Sequence, residues 1–230
     1  MLCLNDIQLR LGDFELSAND CFQPGEKVAV IGPSGCGKST LLGALAGFQD
    51  LTRGQITWND KPLVKGPINR PMSILFQDNN LFPHLTVFQN AALGINPNLR
   101  LSDADRDRVD RALSDVGLNE KHDVKPGELS GGQMSRAALA RVLLRDQPIL
   151  LLDEPFAALG PALRHDMMDL VDQFAAKSNV LVLMVTHDPE DAKRFSDKTV
   201  LIDGGVAQPA RATKDLFENP PNALKAYLGA

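Results

Sequence analysis

Cysteine is scarce in this sequence: three residues in 230, Cys3, Cys21 and Cys36. The number is odd and the spacing fits no metal-ligand pattern, so a reducing cytoplasm is a better match than a disulfide scaffold. Long apolar runs are missing too. Ile149 to Leu152 and Val180 to Val185 fall far short of the ~20 residues that a membrane span needs. The opening MLCLNDIQLR lacks the apolar core of a signal peptide. No long Lys/Arg run occurs and the formal net charge is −5, which disfavours a nucleic-acid clamp with a basic face. Repeats and low-complexity segments are also absent. What remains, 43% hydrophobic and 23% charged residues, is ordinary for a globular chain of one large domain, or one domain with an inserted lobe.

The most informative stretch is 26–47, EKVAVIGPSGCGKSTLLGALAG. The apolar run Val28 to Ile31 stops at Gly32, and Pro33, Ser34, Gly35, Cys36, Gly37, Lys38, Ser39 and Thr40 follow, leading into a helix-like Leu41 to Ala46. This is G-x-x-x-x-G-K-[ST] in the context of strand, glycine loop and helix. Glycines let backbone N–H groups turn around phosphate oxygens, and the helix aims its positive end at the same anion. Lys38 is placed to reach terminal phosphates and Ser39 to ligate Mg²⁺. Cys36, among amide dipoles near a helix start, is expected to have a lowered thiol pKa.

Strands are expected at 2–9 and 14–22 around a Gly12-Asp13 turn, and shorter ones at 54–60 and 72–76. From about Leu85 the pattern turns helical, with helices over 87–93, 103–116 and 131–144. Apolar strand runs return at 149–152, 180–185 and 199–202, separated by helices over 162–176 and 189–195. Two short helical pieces flank Pro220-Pro221. Strands alternating with helices argue for a mainly parallel sheet covered on both faces, with 85–147 as a helical lobe inserted between core segments 1–84 and 148–230.

Two further stretches carry chemistry. Ile149-Leu150-Leu151-Leu152-Asp153-Glu154 ends an apolar strand in two carboxylates, at the strand end where open α/β sheets bind ligands. Taken alone, such a pair is more often a solvated turn; downstream of a phosphate loop, Asp153 becomes a Mg²⁺ ligand candidate and Glu154 a base for attacking water. Leu129, Ser130, Gly131, Gly132 and Gln133 give a serine-capped helix start with two glycines, a second potential anion site.

Phosphate loop, Gln77, LSGGQ at 129–133, LLLDEP at 150–155 and THD at 186–188 together resemble the ATPase subunits of ABC transporters, over essentially the whole chain. The resemblance implies a P-loop NTPase core of α/β class, with a mainly parallel sheet, an N-terminal antiparallel β portion and an inserted α-helical subdomain. It implies ATP and Mg²⁺ as ligands, with Ser39, Gln77 and Asp153 around the metal, Glu154 as catalytic carboxylate and His187 at the γ-phosphate. Ser130 to Gln133 would then bind ATP held by a second copy in a head-to-tail dimer. Two positions depart from the family pattern: Leu11 stands where an aromatic usually stacks on adenine, with Phe14 as a substitute, and Gly160 replaces an Asp that couples the two sites.

The run LFQDNNLFPHLTVFQN, the short tail and LVLMVTHDPEDA look most like the ATP-binding subunits of bacterial thiamine importers. That implies a peripheral ATPase on the cytoplasmic face of the inner membrane, partnered by a permease and, indirectly, a periplasmic binding protein. The segment after Gln77 would receive a short helix of the membrane subunit. An importer ATPase for iron, an amino acid or another metabolite is the first alternative. A soluble ABC ATPase acting on ribosomes or DNA is a remote one, and a non-catalytic sensor is opposed by Glu154 and His187.

Overall fold

Short, fully buried apolar runs build the centre of the computed structural model, in which residues 1–229 are described. In chain order the strands are β1 (Leu2–Leu11), β2 (Phe14–Phe22), β3 (Lys27–Ile31), β4 (Arg53–Trp58), β5 (Lys61–Pro62), β6 (Met72–Leu75), β7 (Ile149–Asp153), β8 (Leu181–Val185), β9 (Lys198–Asp203), β10 (Val206–Ala207) and β11 (Arg211–Ala212). The helices are α1 (Lys38–Ala46), α2 (Val87–Ala92), α3 (Asp103–Asp115), α4 (Gly131–Leu144), α5 (Pro161–Ser178), α6 (Pro189–Phe195), α7 (Thr213–Glu218) and α8 (Asn222–Leu228).

One sheet runs β5-β4-β1-β2-β10-β9-β3-β8-β7-β6, with β11 also pairing β9. Strands β6, β7, β8, β3 and β9 are mutually parallel, and their Val/Ile/Leu/Met content, buried on both faces, is the signature of such strands. Because they are parallel, the residues after β3, β6, β7 and β8 all leave from one edge, with Val30 and Asp153 both level with Val185. The β1, β2, β4 and β5 strands pair antiparallel. Strand β10 joins the two parts, antiparallel to β9 and parallel to β2.

Register also brings two of the three cysteines together. Cys3 and Cys21 face each other across β1 and β2 and form a disulfide, their Cα atoms 4.1 Å apart. The pairing arises from the hairpin, so a count of cysteines could not reveal it.

Helices α2, α3 and α4 pack on one another, with Val87, Ala91, Val109, Leu113, Ala137 and Ala138 buried between them. That core continues without a break into Leu150, Leu152 and Met168 of β7 and α5. Each of the three helices has a side-chain cap, from Thr86, Ser102 and Ser130 in turn, each in a reciprocal capping box. Helix α1 is different. It starts three residues earlier than the hydrophobic pattern suggests, at Lys38, directly after Gly37 at φ +107°. No side chain caps it and no acid lies in its first turn, so the chain's own groups do not use up the positive end of that helix.

Candidate functional site

The loop from Gly32 to Thr40 is forced into shape by its neighbours. A Cβ on Gly32, at φ +150°, would collide with the carbonyl oxygen of Ile202, and one on Gly37 would lie 2.7 Å from Phe14 Cζ. Lys38 is buried and its Nζ donates back to the carbonyls of Gly32 (2.8 Å) and Pro33 (3.0 Å). The ammonium therefore arches over the loop, at the concave side where anions bind in such turns.

Ser39, in the first turn of α1, donates from Oγ to Asp153 Oδ1 at 3.1 Å. Asp153 is the last residue of β7 and is buried. Burial raises its carboxyl pKa; the Ser39 hydrogen bond and Lys38 act against the rise, and the Glu154 charge adds to it. These two hard oxygen donors, one of them a carboxylate short of compensating charge, fit Mg²⁺, which binds through one or two carboxylates plus substrate phosphates. Among the described residues no group of three or more His, Cys, Asp or Glu side chains could hold a metal by itself.

Glu154 follows at φ +46°, a left-handed conformation for a residue with a Cβ. Its N–H donates to Val185 O (3.1 Å), tying the end of β7 to the end of β8. Non-glycine residues in this region are uncommon and concentrate at functional sites. His187 Nδ1 lies 3.0 Å from Glu154 Oε2. With the proton on Nδ1, Nε2 is left free to face a ligand.

The loop carrying His187 is held from behind. Asp188 N donates to Thr186 Oγ1 (3.0 Å), and Arg164 of α5 donates to Asp188 Oδ2 (2.8 Å) and Asp191 Oδ1 (3.4 Å). Thr186 Oγ1 donates to Asp191 Oδ2 (3.2 Å), and Tyr227 of α8 donates to the His187 carbonyl (2.7 Å). No sequence motif singles out Arg164, Asp191 or Tyr227. Only the THD motif hinted at this network, and nothing local to Arg164 or Tyr227 points to His187.

Cys36 is buried, and desolvation raises its thiol pKa even though Lys38 Nζ, 4.0 Å away, acts in the opposite sense. The expected lowering is thereby corrected: burial outweighs the loop's dipoles. Leu11 is exposed, and Phe14, its register partner, packs on Gly37. Gln77 is exposed, two residues beyond the end of β6, and its side chain makes no hydrogen bond among the described residues. Ser130 and Gln133 bond only to each other's backbone N–H groups (3.3 and 2.9 Å) at the start of α4. Gly131 faces open space, while Gly132 backs onto Leu159. Thus Leu129 to Gln133 do not hydrogen-bond to the phosphate-type loop of the same chain. Gly160 caps α5 with backbone alone. A cavity of about 450 Å³ between α3, α4 and α5 includes Arg108, Arg111, Phe174 and Lys177 in its lining but none of these candidates.

Comparison with known proteins follows the same lines. The ABC transporter family model matches residues 17–157. The thiamine import ATP-binding protein ThiQ of Cereibacter sphaeroides is 56% identical over 230 residues, the whole of both chains. Its namesake in Brucella abortus is 46% identical over 228 residues, 98% of this chain and 95% of that one. Among solved structures, the ATP-binding cassette MJ0796, dimeric in a post-hydrolysis state with ADP and Pi, superposes with a TM-score of 0.82. Its sequence is 28% identical, over 93% of this chain and 99% of that one. The cbiO1 protein of Clostridium perfringens, part of the cbiONQ ABC transporter complex, gives a TM-score of 0.81 at 28% identity, over 95% of this chain and 90% of that one. With the family model matched from 17 to 157 and relatives alike along the full chain, this protein belongs to the ABC transporter family.

Proposed function

We propose that the chain is the ATP-hydrolysing subunit of an importer that takes up thiamine or its phosphates. The observation that carries the enzymatic part is the 3.0 Å contact of Glu154 with His187, beside the 3.1 Å contact of Ser39 with Asp153, on one edge of the sheet. The uncapped start of α1 and the Gly32 to Thr40 backbone receive the phosphates of ATP, and Lys38 turns from the loop carbonyls to the terminal phosphates. Ser39 and Asp153, with Gln77 arriving from β6, would hold Mg²⁺; when bound, it neutralises charge on the phosphate oxygens. Glu154 accepts the proton of the attacking water, and His187 Nε2 holds the γ-phosphate side in line.

A hydrolase built this way is completed by a second copy. Ser130 to Gln133, at the capped start of α4 and free of their own chain's loop, would contact the γ-phosphate held by the partner in a head-to-tail dimer. The dimeric state of the cassette MJ0796 supports this arrangement. ATP binding closes the dimer and hydrolysis releases it.

The same reading gives the subunit a permease partner, to which it binds on the cytoplasmic face of the inner membrane; no helix among the described residues is long and apolar enough to cross a membrane. The segment after Gln77 suits docking. Asn90 of α2, fully buried, bonds to the backbone of Phe82, Leu85 and Thr86, and Arg141 of α4 bonds to the Asn79 and Asn80 carbonyls. Those two anchors hold a segment whose Phe82 and His84 side chains stay exposed. The solute follows from full-length likeness to proteins named for thiamine import. Deletion should abolish uptake of labelled thiamine, and the chain should co-purify with a thiamine permease. Unchanged uptake in the deletion strain would end the assignment.

A further inference from the structure

We infer that Tyr227 is a positioning residue for His187: the C-terminal helix holds the peptide of the histidine loop, and so keeps the imidazole aimed at Glu154. The inference rests on the catalytic reading of Glu154 and His187 above and adds to it a residue from the far end of the chain.

Packing does not hold the imidazole of His187. Its side chain is 59% exposed, so packing leaves it free to rotate, and its hydrogen bond within the chain is to Glu154 Oε2. Its aim is therefore set by the backbone that carries it. That backbone is fixed before His187 by Thr186 N, donating to Val30 O (3.2 Å), and after it by Asp188 N, donating to Thr186 Oγ1. The His187 peptide itself is held through its carbonyl, by the Tyr227 hydroxyl at 2.7 Å.

Tyr227 is well placed for that task. Its helix, α8, buries Leu224 among Ala29 and Ile31 of β3, Ala192 of α6, Leu201 of β9 and Leu216 of α7. The tail is thus packed on the strand that feeds the phosphate loop and on the helix that follows His187. A ring kept only for packing would need no hydroxyl, yet this one makes a short bond to one particular carbonyl. Burial first, then the neighbouring Cys36, Asp188 and Glu154 groups, raise the phenol's pKa, so the hydroxyl keeps its proton at any ordinary assay pH. Tyr227 is the only tyrosine in the chain, and sequence spacing gives no reason to connect it with a residue 40 positions earlier.

Tyr227→Phe removes the hydroxyl and keeps the ring. Losing one hydrogen bond that acts on the transition-state geometry should lower kcat for ATP hydrolysis about two- to tenfold and leave KM for ATP unchanged. Rates are compared at a temperature where thermal melts show both proteins folded, so lost stability cannot imitate the effect. Lys225→Ala, on the exposed side of the same helix, should leave both constants unchanged. His187→Ala is measured alongside. If it still hydrolyses ATP at the wild-type rate, the catalytic reading falls and the inference falls with it. If His187→Ala loses activity while Tyr227→Phe keeps its kcat, the inference alone is overturned. It is overturned equally if Tyr227→Phe raises KM with kcat unchanged, or if Lys225→Ala matches its loss.

Discussion

Replacing Gly37 by alanine should separate two constraints on the phosphate-type loop, one from the backbone and one from the β1–β2 hairpin. Gly37 sits at φ +107°, where a residue with a Cβ is strained by about 1–3 kcal/mol. Its added Cβ would also lie 2.7 Å from Phe14 Cζ, 3.1 Å from Phe14 Cε1 and 3.2 Å from Leu16 Cδ1, an overpacking that costs about 1–3 kcal/mol. Together the two effects come to about 2–6 kcal/mol, a large share of the 5–15 kcal/mol typical of a folded domain. Urea denaturation of Gly37→Ala, Phe14→Leu and the double variant, run as a double-mutant cycle, divides the loss. Phe14→Leu removes the ring atoms but not the backbone strain, so about half the loss should be recovered, a coupling of about 1 kcal/mol or more. A loss below about 1 kcal/mol for Gly37→Ala, or no coupling to Phe14, would refute this account of the loop.

Arg70 should prove essential to the far end of α1. Its Nη1 donates to Ala44 O (2.8 Å) and Leu45 O, and its Nε donates to Val64 O (3.1 Å), all from a buried position. Arg70→Met would remove the guanidinium donor from Leu45 O and Val64 O, leaving Ala44 O with only the Gly47 N–H at 3.1 Å, and should cost about 2–4 kcal/mol in urea unfolding; a loss under about 1 kcal/mol would contradict the assignment. Asp191 gives a pH test. Burial raises its carboxyl despite Arg164, so the folded chain binds that proton more tightly than the unfolded chain. The cost of the buried charge is therefore present near neutrality and is relieved as pH falls through the raised value toward the ordinary ~3.9. The melting temperature of Asp191→Asn relative to wild type should accordingly drop as pH goes from about 7 to about 4. A constant or growing difference would show that the group is not raised.

Much of this site could be read from the chain before folding, and the reason is local. In 26–47 the strand, the glycines, Lys38 and Ser39 lie within one strand–loop–helix unit, so spacing alone fixes what the backbone must do. The same holds for β7 running into Asp153-Glu154 and for Ser130 capping α4, whose bounds match the expected 131–144. What escaped depends on distant segments meeting. Cys3 and Cys21 bond because of hairpin register, Arg70 reaches back 26 and 25 positions to Ala44 and Leu45, and Tyr227 reaches His187 through the packing of α8 on β3 and α6. The Cys36 thiol is the instructive case. A local rule about helix dipoles lowers its pKa, but the folded chain buries the sulfur and reverses the sign.

On the proposed reading, Glu154, held against His187 at the end of β7, takes the proton from the water that attacks ATP. Glu154→Gln keeps the size and the hydrogen-bonding reach of the side chain and removes the base. Steady-state ATPase assays with Mg²⁺, paired with sedimentation of the ATP-loaded protein, test the claim directly. The expected result is a kcat lower by about 10²–10⁴-fold with ATP affinity retained and an ATP-dependent dimer that persists. Hydrolysis by Glu154→Gln within a few-fold of wild type would contradict the account.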